Sequence, residues 1–383
     1  MEIPFIFGKI ATGENFTDRE EETRRLINNF NNCINTILIS PRRWGKSSLV
    51  YKAASLAVAE NKKLKVCYID LFNILNVEEF YTAYATAVIK ATSSKWEEFV
   101  KNARVFLSSL RPKFTFGSLA GEEVSLSLDV EKLRSNPDEI LNLPEKIAEK
   151  KKIRICICID EFQKIADWKD ADFLQGKFRS VWQHHQKVGY CLYGSKRHMM
   201  MEIFTDTTKP FYRFGDLIFL KKIEREKLIG FIRERFKDSD KEIDDEAALL
   251  IARLINDHPY YCQQLAQLSW LRTADRCDCE IVRKAHSSLI EQLSLLFTNL
   301  TEELTNQQLN YLKGLLAGES AISSAEVMHK YGISSATSAM RSKHALIKKD
   351  VLDNTEGFIQ FLDPVYEYWL SHTFFRLPGD IQT

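Results

Sequence analysis

At 383 residues, with 45% hydrophobic and 27% charged side chains, the chain is too long for one ordinary core and predicts two or three globular domains. Lys and Arg (53) against Asp and Glu (52) leave a formal charge of +1, which excludes a whole-molecule field for capturing nucleic acid and leaves only a local basic patch.

The opening stretch MEIPFIFGKIATGENF lacks the basic start and long apolar run of a secretory signal. No window approaches the about 18 uninterrupted apolar residues of a membrane span. The longest run, ICICI at 155–159, has the size of a strand. Eight cysteines in a chain this long do not suggest a disulfide scaffold. Cys156 and Cys158 lie two apart in a strand pattern and read as small buried hydrophobes, while Cys277 and Cys279 lack the second pair that a zinc site needs. A reducing cytoplasm with no membrane contact is expected.

From about Thr36 to Leu220 short apolar strands alternate with helical segments, the pattern of a parallel sheet covered on both faces. The strands are expected at 36–40, 65–71, 154–160, 189–195 and 216–220. Between the second and third, two alternating runs flank Gly117 to Gly121 and predict a β-hairpin insertion at about 111–130. From Glu224 to about Leu300 helical periodicity replaces the strands and predicts a small helical domain. The last eighty or so residues read as three helices, an alternating hairpin around Thr355–Gly357 and a final helix, PVYEYWLSHTFF, which is the winged-helix plan. The expected division is 1–222, 223–300 and 301–383.

The first strand runs directly into ISPRRWGKSSLV, which meets G-x-x-x-x-G-K-[ST] everywhere except at Ser40, where the first glycine would stand. Ser40, Pro41, Arg42, Arg43, Trp44, Gly45, Lys46, Ser47 and Ser48 form a candidate phosphate loop: backbone N–H groups turn inward on an anion, helped by the helix that begins near Lys46. Gly45 allows close approach of the backbone, Lys46 reaches the β- and γ-phosphates, and the Ser47 hydroxyl joins a magnesium shell. Serine at 40 is tolerated if its torsions stay in the ordinary β or bridge region.

RICICIDEFQKI ends a buried strand in two acids. Asp160 is assigned to the metal and Glu161 to the base that activates water; the alternative for Glu161 is capping of the helix that follows. GYCLYGSKRHMM places Ser195 and Arg197 at a strand end where a polar group can sense the γ-phosphate, and a plain turn is the alternative. Arg213 precedes the last core strand; it suits charge stabilisation on a transferring phosphoryl group, from its own chain or a neighbouring copy, or a structural salt bridge. In NDHPYYCQQL, Pro259 starts a helix, either as a simple N-terminal proline or in contact with an adenine ring.

Together ENFTDREEETRRL, ISPRRWGKSSLV, ICIDEFQKI, YGSKRHMM, FYRFGDLIFL, HPYYCQQLAQ and FLDPVYEYWL resemble the archaeal-type ATPase family, AAA+ proteins of the signal-transducing, STAND-like kind, over nearly the whole chain from Phe16 to Trp369. The resemblance implies an ATP-binding P-loop NTPase core of α/β class, a helical lid and a C-terminal winged helix, in that order. It implies ATP on Ser40 to Ser48, Mg2+ on Ser47 and Asp160, Glu161 as base, and His258-Pro259 in the place of a glycine-x-proline adenine contact, with Asp257 where a glycine often stands. The function it implies is an ATP-driven conformational switch that engages a protein partner, or its own copies, through the winged helix. The second expectation is a DNA-binding ATPase or regulator: SSATSAMRSKHALIKKD carries Arg341, Lys343, Lys348 and Lys349, although Asp350, Asp353 and Glu356 dilute their field.

Overall fold

Five apolar runs pair side by side as one parallel sheet in the computed structural model, which describes residues 3–11, 13–110, 112–116, 124–355 and 358–378. By internal contact the chain forms two units, one of Arg19–Lys221 and one that joins the residues up to Asp18 with those from Lys222 onward.

In the first unit, β1 (Thr36–Ile39) and β2 (Leu64–Asp70) precede an antiparallel pair, β3 (Lys113–Phe116) and β4 (Val124–Ser127). Then follow β5 (Arg154–Asp160), β6 (Val188–Gly194) and β7 (Asp216–Phe219). The sheet runs β2-β5-β6-β1-β7 with every neighbour parallel, and each strand ends within one residue of its expected bounds. β1 and β6 are buried along their whole length, as central strands covered on both faces must be, while the edge strand β2 alternates. The expected hairpin is present as β3 and β4; its turn at Gly117–Gly121 lies outside the described residues.

Two polar ties anchor the lower end of this sheet. On α1 (Glu20–Asn31), Arg25 donates its Nε–H to Asp216 at 2.8 Å, and Asn29 donates to the same carboxylate at 2.8 Å and to the Thr36 hydroxyl at 3.1 Å. The first residues of β7 and β1 are thereby held to one helix. Above them Trp182 stacks on Tyr190 with ring centres 4.2 Å apart, and the Tyr190 hydroxyl sits 2.8 Å from that of Tyr84 and 2.9 Å from His185 Nδ1.

The second unit is mainly helical, with helices at Arg225–Lys237, Asp245–Leu254, Pro259–Arg272 and Cys279–Glu302. A purely helical reading of 224–300 is corrected by β8 (Glu242–Ile243) and β9 (Arg276–Cys277), a two-residue parallel ladder too short to leave a period in the sequence. Cys277 is buried in that ladder and Cys279 opens the helix after it. The first 18 residues, expected with the nucleotide core, group here because Phe5 is fully buried against Phe231 and Phe236. Gln263 and Gln267 complete the hold by bonding the backbone of Ile6, Asn15 and Phe5.

Three further helices, Asn306–Leu316, Ala325–Tyr331 and Ala336–Lys348, lead into the antiparallel pair β10 (Leu352–Thr355) and β11 (Phe358–Phe361) and a last helix at Pro364–Trp369. This is the expected winged-helix order; of the hairpin's expected turn, residues 356 and 357 lie outside the described residues. Cys279–Glu302 runs through the boundary expected at 300. Asp363 explains much of the DPVYEYW signature: its carboxylate accepts from the Val365 and Tyr366 backbones at 3.0 Å each and from the Tyr261 hydroxyl. No helix among the described residues is long and apolar enough to cross a membrane.

The fold resists the charge of two imidazoles, His185 in the first unit and His286 in the second. Burial, then the nearby His184, lowers His185 to about 4, and burial, then His372, lowers His286 to about 4, from an ordinary 6.5. Because the folded values lie below the unfolded one, stability is complete above pH 6.5 and is lost as pH falls from 6.5 through 4, by up to about 3 kcal/mol per ring. Urea unfolding should show its midpoint dropping across that window, and a His286→Phe variant should lose part of the slope. A midpoint unchanged between pH 7 and 5 would show that both rings protonate freely.

Candidate nucleotide site

The candidate phosphate loop connects β1 to α2 (Lys46–Glu60), at the end of the sheet where Ile39 lies beside Gly194 and Phe219. Ser40 is buried and is not among the residues with left-handed torsions, so a side chain there strains nothing; its hydroxyl donates to the Pro41 carbonyl at 3.1 Å. The unusual torsions come later, at Arg43 (φ 64°) and Gly45 (φ 84°). A Cβ at Gly45 would meet nothing within 4 Å, so glycine serves there through its torsion.

The acids come from β5, two strands away, with β6 between. Ser47 Oγ donates to Asp160 at 2.8 Å. Lys46, only 8% exposed, holds its ammonium 3.5 Å from Glu161 and 3.9 Å from Asp160. These separations are long for charge-assisted hydrogen bonds, so the lysine is shared between two carboxylates and tightly held by neither. Burial raises the Asp160 carboxyl above its ordinary value despite Lys46 and Ser47. Burial also pushes Glu161 up, but Lys46, Gln163, Ser195 and Arg42 together outweigh it and hold that carboxyl below its ordinary value.

Glu161 itself is left-handed (φ 51°) and makes no capping bond to the short 3-10 helix Phe162–Asp167 that follows. Its Oε2 accepts instead from Ser195 Oγ at 2.9 Å and from Gln163 Nε2. One hydroxyl, one desolvated carboxylate and one shared ammonium at the N-terminal end of α2 make a group suited to a hard divalent cation and a polyphosphate.

The chain as a whole has solved counterparts. It is similar to the Walker-type ATPase of Pyrococcus abyssi, at 18% identity over 96% of this chain and 99% of that one, with a TM-score of 0.67. It is also similar to the Aeropyrum pernix ORC2 protein in ADPNP–ADP complexes, at 14% identity over 94% of each chain and a TM-score of 0.57. The chain shares the fold of these two solved structures. A family model described as a probable winged helix domain matches residues 295–372. Comparison of the sequence with curated proteins gives no match.

Within the first unit, Lys46, Ser47, Asp160, Glu161 and Ser195 meet directly. Arg197 lies at the same end of the sheet, its guanidinium 5.8 Å from the Phe219 ring centre. Arg213 does not join them. It precedes β7, whose first residue pairs with Thr36, so it stands at the opposite end of the strands from the loop after Ile39. It is exposed, left-handed (φ 53°) and over the Tyr212 ring at 5.1 Å, and among the described residues no carboxylate pairs with it.

His258 and Pro259 belong to the second unit, where His258 is buried and Pro259 occupies the first turn of its helix. The two residues before them, Asn256 (φ 48°) and Asp257 (φ 56°), are both left-handed. Asp257 thus takes the torsion that glycine would adopt without strain, and Arg225 grips its carboxylate with two bonds of 2.9 and 2.8 Å. Sequence reasoning missed Gln163 altogether: a glutamine two residues past an acidic pair carries no periodic or motif signal.

Proposed function

We propose that the chain binds ATP with Mg2+ on Ser40–Ser48 and hydrolyses it, and that the nucleotide state controls engagement of a protein partner, or of its own copies, through the lid (223–300) and the winged helix (301–383) in the cytoplasm. The observation that carries this reading is the convergence of Ser47 on Asp160 and of Lys46 on both acids at one end of the sheet. Magnesium, when bound, would neutralise phosphate charge, and Ser47 and Asp160 are the residues that would hold it. Lys46 turns from the carboxylates to the β- and γ-phosphates, which leaves Glu161 free to accept a proton. Water then forms the new bond to the γ-phosphorus, the bond from that phosphorus to the bridging oxygen breaks, the water proton passes to Glu161, and ADP and phosphate leave.

Ser195 keeps Glu161 in place, and Arg197 is positioned to respond to the γ-phosphate. Arg213, on this reading, serves the site of a neighbouring copy. His258 and Pro259 serve the adenine.

Duplex DNA is the second reading, favoured by one observation: Thr337, Met340, Arg341, His344 and Lys348 are the exposed residues along one face of helix Ala336–Lys348, and Asp353 is buried. Of the other two cations, Lys343 is half-buried and Lys349 donates to the Glu303 carbonyl.

Calorimetric titration with Mg-ADP and a random-duplex gel shift at two salt concentrations test both on one preparation. Binding of Mg-ADP with no salt-dependent shift supports the switch; a shift that steepens at low salt supports DNA. No heat from folded protein would sink the nucleotide site.

A further inference from the structure

We propose that Gln163 is a positioning residue for hydrolysis: buried behind the acidic pair and housed by Gly194, it fixes one oxygen of Glu161 so that the other faces the attacking water. The inference rests on the reading of Glu161 as the base. Glu161 has left the regular strand, since its φ of 51° departs from β5 geometry, so the sheet alone does not aim its side chain. The aim comes from contacts. Gln163 Nε2 and Ser195 Oγ both donate to Oε2, whereas among the described residues Oε1 meets the Lys46 ammonium alone, at 3.5 Å. When Lys46 turns to phosphate, Oε1 is vacated on the phosphate side and Oε2 stays held by two neutral donors.

Gln163 is 1% exposed, and its carbonyl Oε1 has no hydrogen-bond partner among the described residues. The opposite amide orientation would set that carbonyl against a carboxylate, so the N–H must point to Glu161. An apolar side chain of the same length would avoid an unsatisfied buried carbonyl. What the amide supplies at this place is the donor to Glu161. The housing is equally specific. A Cβ on Gly194 would lie 1.9 Å from Gln163 Oε1 and 2.9 Å from Met200 Sδ, yet the φ of Gly194 is not in the left-handed region. Glycine is required at the end of β6 for room, and the room is taken by the Gln163 amide.

Steady-state ATP hydrolysis and Mg-ADP affinity are measured for wild type, Gln163→Met, Gly194→Ala and the double variant, with thermal melts to confirm folding. The expected result is a kcat lowered about 10- to 100-fold by Gln163→Met, with KM and ADP affinity within about twofold of wild type. Gly194→Ala should lower kcat comparably, and the double variant should be no worse than the single ones, because both remove one contact. A folded Gln163→Met protein with wild-type kcat overturns the inference, as does a parallel loss of kcat and ADP affinity, or full additivity of the two changes. A Glu161→Gln protein that hydrolyses ATP as fast as wild type overturns the assignment of the base itself, and this inference falls with it.

Discussion

Replacing Lys46 by alanine should weaken Mg-ATP binding by about two orders of magnitude. A lysine ammonium on a polyphosphate makes charge-assisted hydrogen bonds worth roughly 1.5–3 kcal/mol, and the upper end of that range is a factor of about 100 in Kd. The structure adds a second reason. Lys46 holds its ammonium 3.9 Å from Asp160 and 3.5 Å from Glu161. Without it, an entering triphosphate meets two carboxylates that have lost the ammonium they share. Calorimetry at fixed magnesium reads the loss directly. The fold itself should persist, because neither contact is a short ion pair. A Lys46→Ala protein that binds Mg-ATP as tightly as wild type would mean that the nucleotide sits elsewhere.

Glu161→Gln should separate binding from turnover. Loss of a general base typically lowers turnover by roughly 10²–10⁴-fold. The amide is nearly isosteric with the carboxylate, so its oxygen can still accept from Ser195 and Gln163, and the carboxylate that opposes phosphate is gone. Affinity for Mg-ATP should therefore hold or rise while phosphate release collapses. Single-turnover measurements with labelled ATP distinguish this from a folding defect. Unchanged turnover would reduce Glu161 to a residue that merely closes β5, although its side chain makes no capping bond there.

The strands were legible because each is an apolar run bounded by turn-forming or charged residues, and a run such as ICICI fits only a strand covered on both faces. The loop was legible through Gly45, Lys46 and Ser47, and the tolerance of Ser40 followed from its place at the end of an extended segment. The location of Arg213 was implicit too. In a parallel sheet a residue before one strand cannot lie beside a loop that follows another. Other features had no linear signature. The ladder of Glu242–Ile243 with Arg276–Cys277 is too short for a period. Phe5 joins the second unit through partners more than 220 residues away, Phe231 and Phe236. Gln163 acquires its meaning only when the tip of β6 arrives beside it, and a strand-terminal glycine does not announce which side chain it makes room for.

β6 lies between the strand that carries the loop and the strand that carries the acids. Two inter-strand spacings, roughly 10 Å, therefore separate the two backbones, a width set by ladder hydrogen bonds. On the proposed function, the backbone span from the phosphate loop to the acidic pair is thus set by the sheet and owes little to loop length. On that reading, changes in surface loops can retune how tightly a nucleotide is held, but moving the loop's backbone relative to the acids would require rebuilding a central strand.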